Sequence, residues 1–200
     1  RQMCIRDSGK IERSCFTQKG RDTMGTERIL TERLILRKMV VADHVQMFRH
    51  WANDPAVTTY LTWEPYENAE DVAAYLALNE QAYQSEEHFY WGIVEKETQH
   101  LIGSISVVRY HPEIKTMEIG YVLGTDWWHQ GYTAEALTAV VDYLFTATSV
   151  QRIEAFHDAE NKNSGNVLKK CGFTYEGLLK QRGKNNRGIV DECLYSRLRD

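Results

Sequence analysis

No stretch of this chain approaches the ~18 consecutive apolar residues that a membrane-spanning helix needs, and no apolar leader precedes the first periodic element. Neither a membrane partner nor secretion is expected. Cysteine is sparse: four residues, at positions 4, 15, 171 and 193, with no C-x-x-C pair. That spacing supports neither a zinc site nor a disulfide framework, so no metal is expected, and a reducing cytoplasm is the simple setting. Cys171 and Cys193 read as small core residues; Asp191 and Glu192 further disfavour a thiolate at Cys193. Basic charge is not in surplus. The formal net charge is −4, and residues 1–23 are richer in base than in acid, so the remainder is more acidic still. A nucleic-acid binder usually carries a basic face, so no nucleic-acid partner is expected; an acidic surface attracts cationic amines or simply keeps the chain soluble. The patterns G-x-x-x-x-G-K-[ST] and strand-G-x-G-x-x-G are both missing, which argues against the common nucleotide loops. No internal repeat, linker or low-complexity block appears.

What is present suits one domain with a sizeable core: 200 residues, 42% hydrophobic and 26% charged. Residues 1–23 show neither periodicity nor caps. They read as a non-native or disordered N-terminal extension, with the domain covering 24–200.

The pattern predicts strands at Leu34–Lys38, Phe89–Glu95, Leu101–Tyr110, Met117–Leu123, Arg152–His157, Phe173–Gln181 and Ile189–Leu198. The last two pair around an Asn185-Asn186-Arg187-Gly188 turn. A helix is expected over Ala42–Trp51 with Val45, Phe48 and Trp51 on one face, closed by Asn53-Asp54-Pro55. A loop over 57–67 follows. Asn68 then caps a second helix that runs to about Gln84 and buries Val72, Tyr75 and Leu76. After position 131, Leu137, Val140, Val141, Leu144 and Phe145 recur with helical spacing, a wide apolar face that packs on a sheet. Ser164 reads as the N-cap of a short helix that Gly172 ends. Hairpins dominate, so the fold class is α+β: a mixed, mostly antiparallel, twisted sheet with helices on both faces.

The most informative segment is Glu118–Ala136, E-I-G-Y-V-L-G-T-D-W-W-H-Q-G-Y-T-A-E-A. A strand ends in a short polar loop that enters a helix through Trp128-His129-Gln130-Gly131. The amides at a helix start lack intrahelical partners, and the macrodipole makes that end partially positive. A glycine lets a bulky anion come close. This is a site for a phosphorylated cofactor.

Residues 128–133 resemble the acetyl-CoA pyrophosphate loop [QR]-x-x-G-x-[GA] of the GNAT superfamily of N-acetyltransferases. Trp128 stands where Gln or Arg is usual, and Thr133 where Gly or Ala is usual. The form W-x-x-G-Y-x-x-E-A, followed by N-K-N-S-G-N-V-L-K-K-C-G-F at 161–173, resembles the RimJ/RimL branch, which acetylates N-terminal amines of ribosomal proteins. The likeness covers about Glu27 to Arg199. It implies a GNAT-like sheet whose fourth and fifth strands, Met117–Leu123 and Arg152–His157, splay apart to admit the pantetheine arm. It implies acetyl-CoA as cosubstrate and an amine-bearing peptide, protein or small molecule as partner, in a monomer or homodimer.

On that resemblance, the cofactor is held by Tyr121, Val122 and Leu123 through strand backbone, by His129, Gln130, Gly131, Tyr132, Thr133 and Ala134 at the diphosphate, and by Asn161 and Ser164. Glu118 is the candidate base: it faces away from Met117 and Ile119, and partial burial would raise its pKa. The alternative for Glu118 is an ordinary strand carboxylate. The tyrosine that many relatives use as acid falls at Leu168, so Ser164 is the substitute, a role compatible with its capping one. Asn161 has an Asx-turn alternative. Lys169 and Lys170 either approach phosphate or form a solvated helix face. Trp63 and Tyr66 wall the acceptor slot, with Glu64, Glu67 or Glu86 attracting its charge, or else pack in a core. Two rival functions share this frame: a non-catalytic CoA-binding sensor or partner module, and an aminoglycoside or polyamine acetyltransferase.

Overall fold

The structure, a computed structural model, describes residues 25–200; the expectation for residues 1–23 lies outside them. Among the described residues eight strands form one sheet: β1 (Ile29–Leu30), β2 (Leu34–Arg37), β3 (Tyr90–Glu95), β4 (Leu101–His111), β5 (Thr116–Leu123), β6 (Arg152–Asp158), β7 (Thr174–Asn185) and β8 (Gly188–Leu198). Their order is β1-β2-β3-β4-β5-β6-β8-β7. Every neighbouring pair is antiparallel except β5–β6. That pair is parallel because a crossover helix separates its strands in sequence. The mixed, mostly antiparallel sheet expected from the hairpins is the one that forms.

Five α-helices accompany it among the described residues: α1 (His44–Met47), α2 (Pro55–Thr58), α3 (Ala69–Ala82), α4 (Tyr132–Ala147) and α5 (Lys162–Lys170). Both faces of the sheet are used. On one, Leu137, Val140, Val141 and Leu144 of α4 and Leu168 of α5 meet Met117, Ile119, Ile153 and Ala155. On the other, Met47, Trp51, Val72 and Leu76 meet Tyr90, Val94 and Leu101. The α4 stripe is the one its spacing predicts, with Phe145 only half-buried at its edge. Asn68 caps α3 as expected, its Oδ1 accepting the Asp71 N–H at 2.9 Å.

Four local expectations are corrected. The helix expected over Ala42–Trp51 is a succession of a 3₁₀ turn (Val41–Asp43), α1 and a π turn (Phe48–Ala52). Asp43 turns inward to take two hydrogen bonds from the Arg37 guanidinium, at 2.7 and 2.8 Å, which tightens the entrance. Trp51 is buried as expected and Phe48 partly so, but Met47 and Ala52 join them and Val45 is left exposed. The 57–67 loop begins inside a helical turn: Asp54 caps α2 by accepting the Ala56 N–H at 2.8 Å, with Pro55 at its first position. Asn161, not Ser164, caps α5. Its Oδ1 accepts the Ser164 N–H at 3.3 Å, so Ser164 lies one turn inside the helix. Tyr75 is also more exposed than its helical register suggests.

Leu144 is fully buried between α4 and the sheet. Leu144→Ala is expected to cost about 2–5 kcal/mol of stability, read as a lower urea midpoint with an unchanged slope.

Candidate active site

The parallel ladder between β5 and β6 is short. It pairs Thr116 with Arg152, Met117 with Ile153 and Glu118 with Glu154, and stops. Both strands continue, to Leu123 and Asp158, without meeting again. A cleft of about 440 Å³ fills the gap, lined by Ile119–Leu123 on one wall and Phe156–Asp158 with Ser164 on the other. Tyr121, Val122 and Leu123 therefore flank an opening where strand backbone lacks a neighbour on one side. The expected splay of these two strands is present.

The start of α4 forms one end of this cleft. Gly131, its N-cap, has φ 82° and ψ 1°, and His129 has φ 60°. Two left-handed residues so close together turn successive amides toward one side, a geometry that binds anions. No side chain caps this helix, so its first-turn amides face the cleft with the positive end of the dipole. His129, Gly131, Tyr132, Thr133 and Ala134 all line the cleft.

The loop is held from outside. The Trp128 indole N–H donates to the Leu123 carbonyl at 2.8 Å, tying the loop to the end of β5. Its departure from Gln or Arg thus has a structural use. The Gln130 amide donates to the Asp126 carbonyl at 2.8 Å, so that side chain is committed to the turn. Arg33 donates to the Gln130 carbonyl at 3.0 Å and to Glu135 at 2.7 Å, and its guanidinium lies 4.3 Å from the Tyr132 ring centroid. Glu135 also accepts from the Thr31 hydroxyl at 2.5 Å and the Arg33 N–H at 2.8 Å. Burial alone would raise the Glu135 carboxyl, but the Thr31 and Arg33 hydrogen bonds outweigh it and hold the group below the usual carboxylate value. The Tyr132 hydroxyl donates to Glu95. The sequence motifs give no site role to Arg33 or Glu135.

Along the cleft, Tyr121 reaches from β5 to α5. Its hydroxyl lies 2.8 Å from Ser164 Oγ and donates to the Ser164 carbonyl at 3.2 Å. Burial pushes the Tyr121 phenol well above its ordinary value. Leu168, at the position where relatives place a tyrosine, is fully buried in the core and out of reach of any ligand. Asn161 lines the cleft, with its side-chain oxygen engaged as the cap. Lys170 lines the cleft; Lys169 is exposed and does not. His157 donates from Nδ1 to the Asp158 carbonyl at 2.7 Å, leaving Nε2 buried and without a partner. A Cβ on Gly165 would sit 2.8 Å from that nitrogen, so only glycine lets α5 pack this close.

Glu118 projects to the sheet face opposite α4 and is half-buried, at the last register before the gap. Burial raises its pKa. Arg109, 3.7 Å away, and Arg182 lower it; Glu192 and Glu154 raise it further. The net shift is upward.

At the far end the lining comes from Val57, Tyr60 and Leu61. Trp63 and Tyr66, the expected acceptor walls, instead pack on the second core, their rings 5.8 Å apart. Glu64, Glu67 and Glu86 are exposed away from the lining. The β7–β8 hairpin tip bridges this end. Asn186 binds the carbonyls of Thr58, Leu61 and Trp63 at 2.9, 3.2 and 2.8 Å. Arg187 and Asn185 bind the buried Asp158 carboxylate at 3.1 and 2.8 Å, and Arg187 lies 5.6 Å from the Tyr60 ring. The turn itself is legible in the sequence; where it docks is not.

A splayed parallel pair with an open helix start at its end is the arrangement of a known family, and comparison with known proteins agrees. Residues 33–174 match the acetyltransferase (GNAT) domain family. The chain is similar to the uncharacterized N-acetyltransferase p20 of Bacillus licheniformis, 32% identical over 86% of this chain and 97% of the relative. It is also similar to the [ribosomal protein uS5]-alanine N-acetyltransferase of Escherichia coli, 27% identical over 76% of this chain and 81% of that one. Its fold matches the crystal structure of ribosomal-protein-S5-alanine acetyltransferase from Vibrio fischeri with a TM-score of 0.78, at 22% identity over 87% and 97% of the two chains. The chain belongs to the GNAT family of acetyltransferases, among relatives of the RimJ/RimL kind.

Proposed function

We propose that this protein transfers the acetyl group of acetyl-CoA to a primary amine, and that its acceptor is the free N-terminal amine of a protein chain. The observation that carries the reading is the uncapped start of α4 facing the gap between β5 and β6. When bound, acetyl-CoA supplies the acetyl group as an activated thioester. The protein's residues hold it and manage protons. The Gly131–Ala134 amides take the diphosphate, with His129 beside them. The free backbone groups of Tyr121–Leu123 take the pantetheine arm, apart from the Leu123 carbonyl, which Trp128 already occupies. Gln130 contributes backbone only, since its side chain is turned to Asp126.

Glu118 acts as the base. Its raised pKa brings it nearer to neutrality, where a carboxylate is a more competent proton acceptor. An α-amine, with pKa near ~8, loses its proton more readily than a lysine near ~10.4. The bridged far end, between Tyr60, Leu61 and the hairpin tip, suits a flexible chain end better than a folded surface. The names of the ribosomal-protein acetyltransferase relatives point the same way.

Incubation with acetyl-CoA is expected to acetylate a peptide through its free α-amine. A peptide with a blocked α-amine and a free lysine should be spared, as read by mass spectrometry. Acetylation of polyamines or aminoglycosides in place of both peptides would reassign the acceptor. Gly131→Val places a β-branched residue at φ 82°, where such residues are outliers. Coenzyme A affinity by calorimetry should fall by at least about tenfold, whereas Gly131→Asn, which tolerates the left-handed region, should lose less. Glu118 must be deprotonated to act, so the acid limb of kcat/KM should lie above the ordinary glutamate value of ~4.3, with the rate falling as pH drops through it. Glu118→Gln should abolish that limb and lower the rate by about 10²–10⁴-fold.

A further inference from the structure

The edge strand β7 is not regular. From Leu179 to Gly183 it spans only the step from Glu192 to Val190 on β8, so the residues between bulge out of the ladder. Gln181 sits there at φ 52°, a left-handed backbone uncommon outside glycine. Its N–H donates to the Asp191 carboxylate at 2.8 Å, which pins the bulge. A Cβ on Gly183 would collide with the Glu192 carboxylate, so the glycine lets that group rest against the strand. What the bulge delivers is Arg182. Its guanidinium lies 4.9 Å from the Phe156 ring centroid, and Phe156 lines the cleft. Strand register places Glu118, Glu154, Phe156 and Glu192 on one face of the sheet. The arginines around this face differ in how far they are engaged. Arg152 binds Glu154 at 2.6 Å and Glu176 at 2.7 and 2.6 Å. Arg187 is held by Asp158 and Glu160, and Arg109 faces Glu118 itself at 3.7 Å. Arg182 meets one carboxylate among the described residues, Nη1 to Glu192 Oε2 at 3.3 Å, and its side chain is 43% exposed. A guanidinium carries its N–H donors in a planar fork, so most of this one is open to a second carboxylate.

We propose that Arg182 recognises the acceptor, receiving the carboxylate of an acidic side chain in the first few positions behind the α-amine. The inference rests on the α-amine reading above and names the kind of chain end that reading would select. An amine delivered to Glu118 trails its chain over the same sheet face. The next β6 side chain on that face after Glu154 is Phe156, ~7 Å further along the strand, a distance that about two extended residues cover. Arg182 stands over that ring, and it is near enough to Glu118 to lower that carboxyl's pKa. The helices on this side pack on Tyr90, Val94 and Leu101 of β3 and β4, which leaves Arg182 in solvent beyond them. Phe156 fixes one side of the guanidinium by a cation–π contact. The remaining edge of the fork suits a carboxylate bound through both oxygens, a geometry that a lysine could not offer. Glu192 is the competitor, and its one 3.3 Å contact is weaker than the bidentate pairing that would replace or share it. A neutral amide of the same shape gains nothing there, so the preference is a difference between acceptors rather than a general gain in binding.

The test compares peptides with a free α-amine that differ only in Asp or Asn at the second or third position, acetylated by the full-length protein at saturating acetyl-CoA. In the native chain the Asp peptide is expected to exceed its Asn counterpart in kcat/KM by roughly three- to tenfold at low salt, and the ratio should shrink as salt rises. Arg182→Met keeps an apolar stem against Phe156 and should bring the ratio to about one, with KM for acetyl-CoA changed by no more than about twofold. Arg182→Lys keeps the charge without the fork and should fall between. Glu192→Gln removes the competing carboxylate and should raise the ratio above the native value, an effect that a merely structural Arg182 would not produce. That variant keeps the test decisive if Arg182→Met proves unstable. A ratio near one at both positions in the native chain overturns this inference alone, and so does a preference that survives Arg182→Met or one that Glu192→Gln leaves unchanged. Failure of the native chain to acetylate any of these peptides overturns the α-amine reading together with it.

Discussion

Three registers of parallel pairing hold β5 to β6, and the site depends on the ladder ending there. A sheet that zipped further would bury the edges of Ile119–Leu123 against Ala155–Asp158 and leave no cleft. One that paired less would uncouple the two halves of the sheet. The strands on either side keep both edges of the gap in place: β5 is fully paired with β4 from Thr116 to Leu123, and β6 with β8 from Arg152 to Asp158. Each wall is thus rigid on its outer side and open on its inner side. The packing of Val140, Val141 and Leu144 of α4 and Leu168 of α5 beneath the sheet gives those walls a common floor.

That floor also aims the helix start. A left-handed N-cap at Gly131 leaves the first turn without a side-chain cap, and uncapped amides cost stability unless something satisfies them. The protein offsets part of that cost away from the ligand. Glu135 in the first turn interacts favourably with the dipole while gathering Thr31 and both the backbone and guanidinium of Arg33. Arg33 in turn holds the Gln130 carbonyl and covers Tyr132. The loop is therefore clamped from the side opposite the cleft, and the amides are left free to meet an anion.

The sequence made the sheet and the α4 stripe legible because both obey strong periodicities over many residues. The loop into α4 is legible because Trp128-His129-Gln130-Gly131 joins a strand to a strongly periodic helix, with Gly131 as its left-handed N-cap. The α1 region misled because a partly buried ion pair, Arg37 with Asp43, tightens the turn at its start, and no local pattern announces such a pair. The cap of α5 was misplaced by three residues because Asn161 and Ser164 are both good cap residues, and only the chain's path after β6 decides between them. The acceptor end was least legible. Trp63 and Tyr66 look like binding aromatics, but Tyr60 and Leu61 line the cleft because Asn186, more than a hundred residues later, fastens the intervening loop. Long-range docking of a hairpin tip leaves no trace in local composition.

Why Glu118 rather than a neighbouring carboxylate should carry the base role follows from how the charges on that face pair. Glu154 sits 2.6 Å from Arg152, and Glu192 3.3 Å from Arg182. Glu118 has Arg109 at 3.7 Å, and that guanidinium is 57% exposed. A pair so open to solvent is worth about 0–1 kcal/mol at most, too little to offset the desolvation of a half-buried carboxylate that also faces two like charges. Burial therefore wins at Glu118. The carboxylate left with the weakest partner is the one in the last paired register, next to Ile119 where the gap opens, and burial there raises its proton affinity.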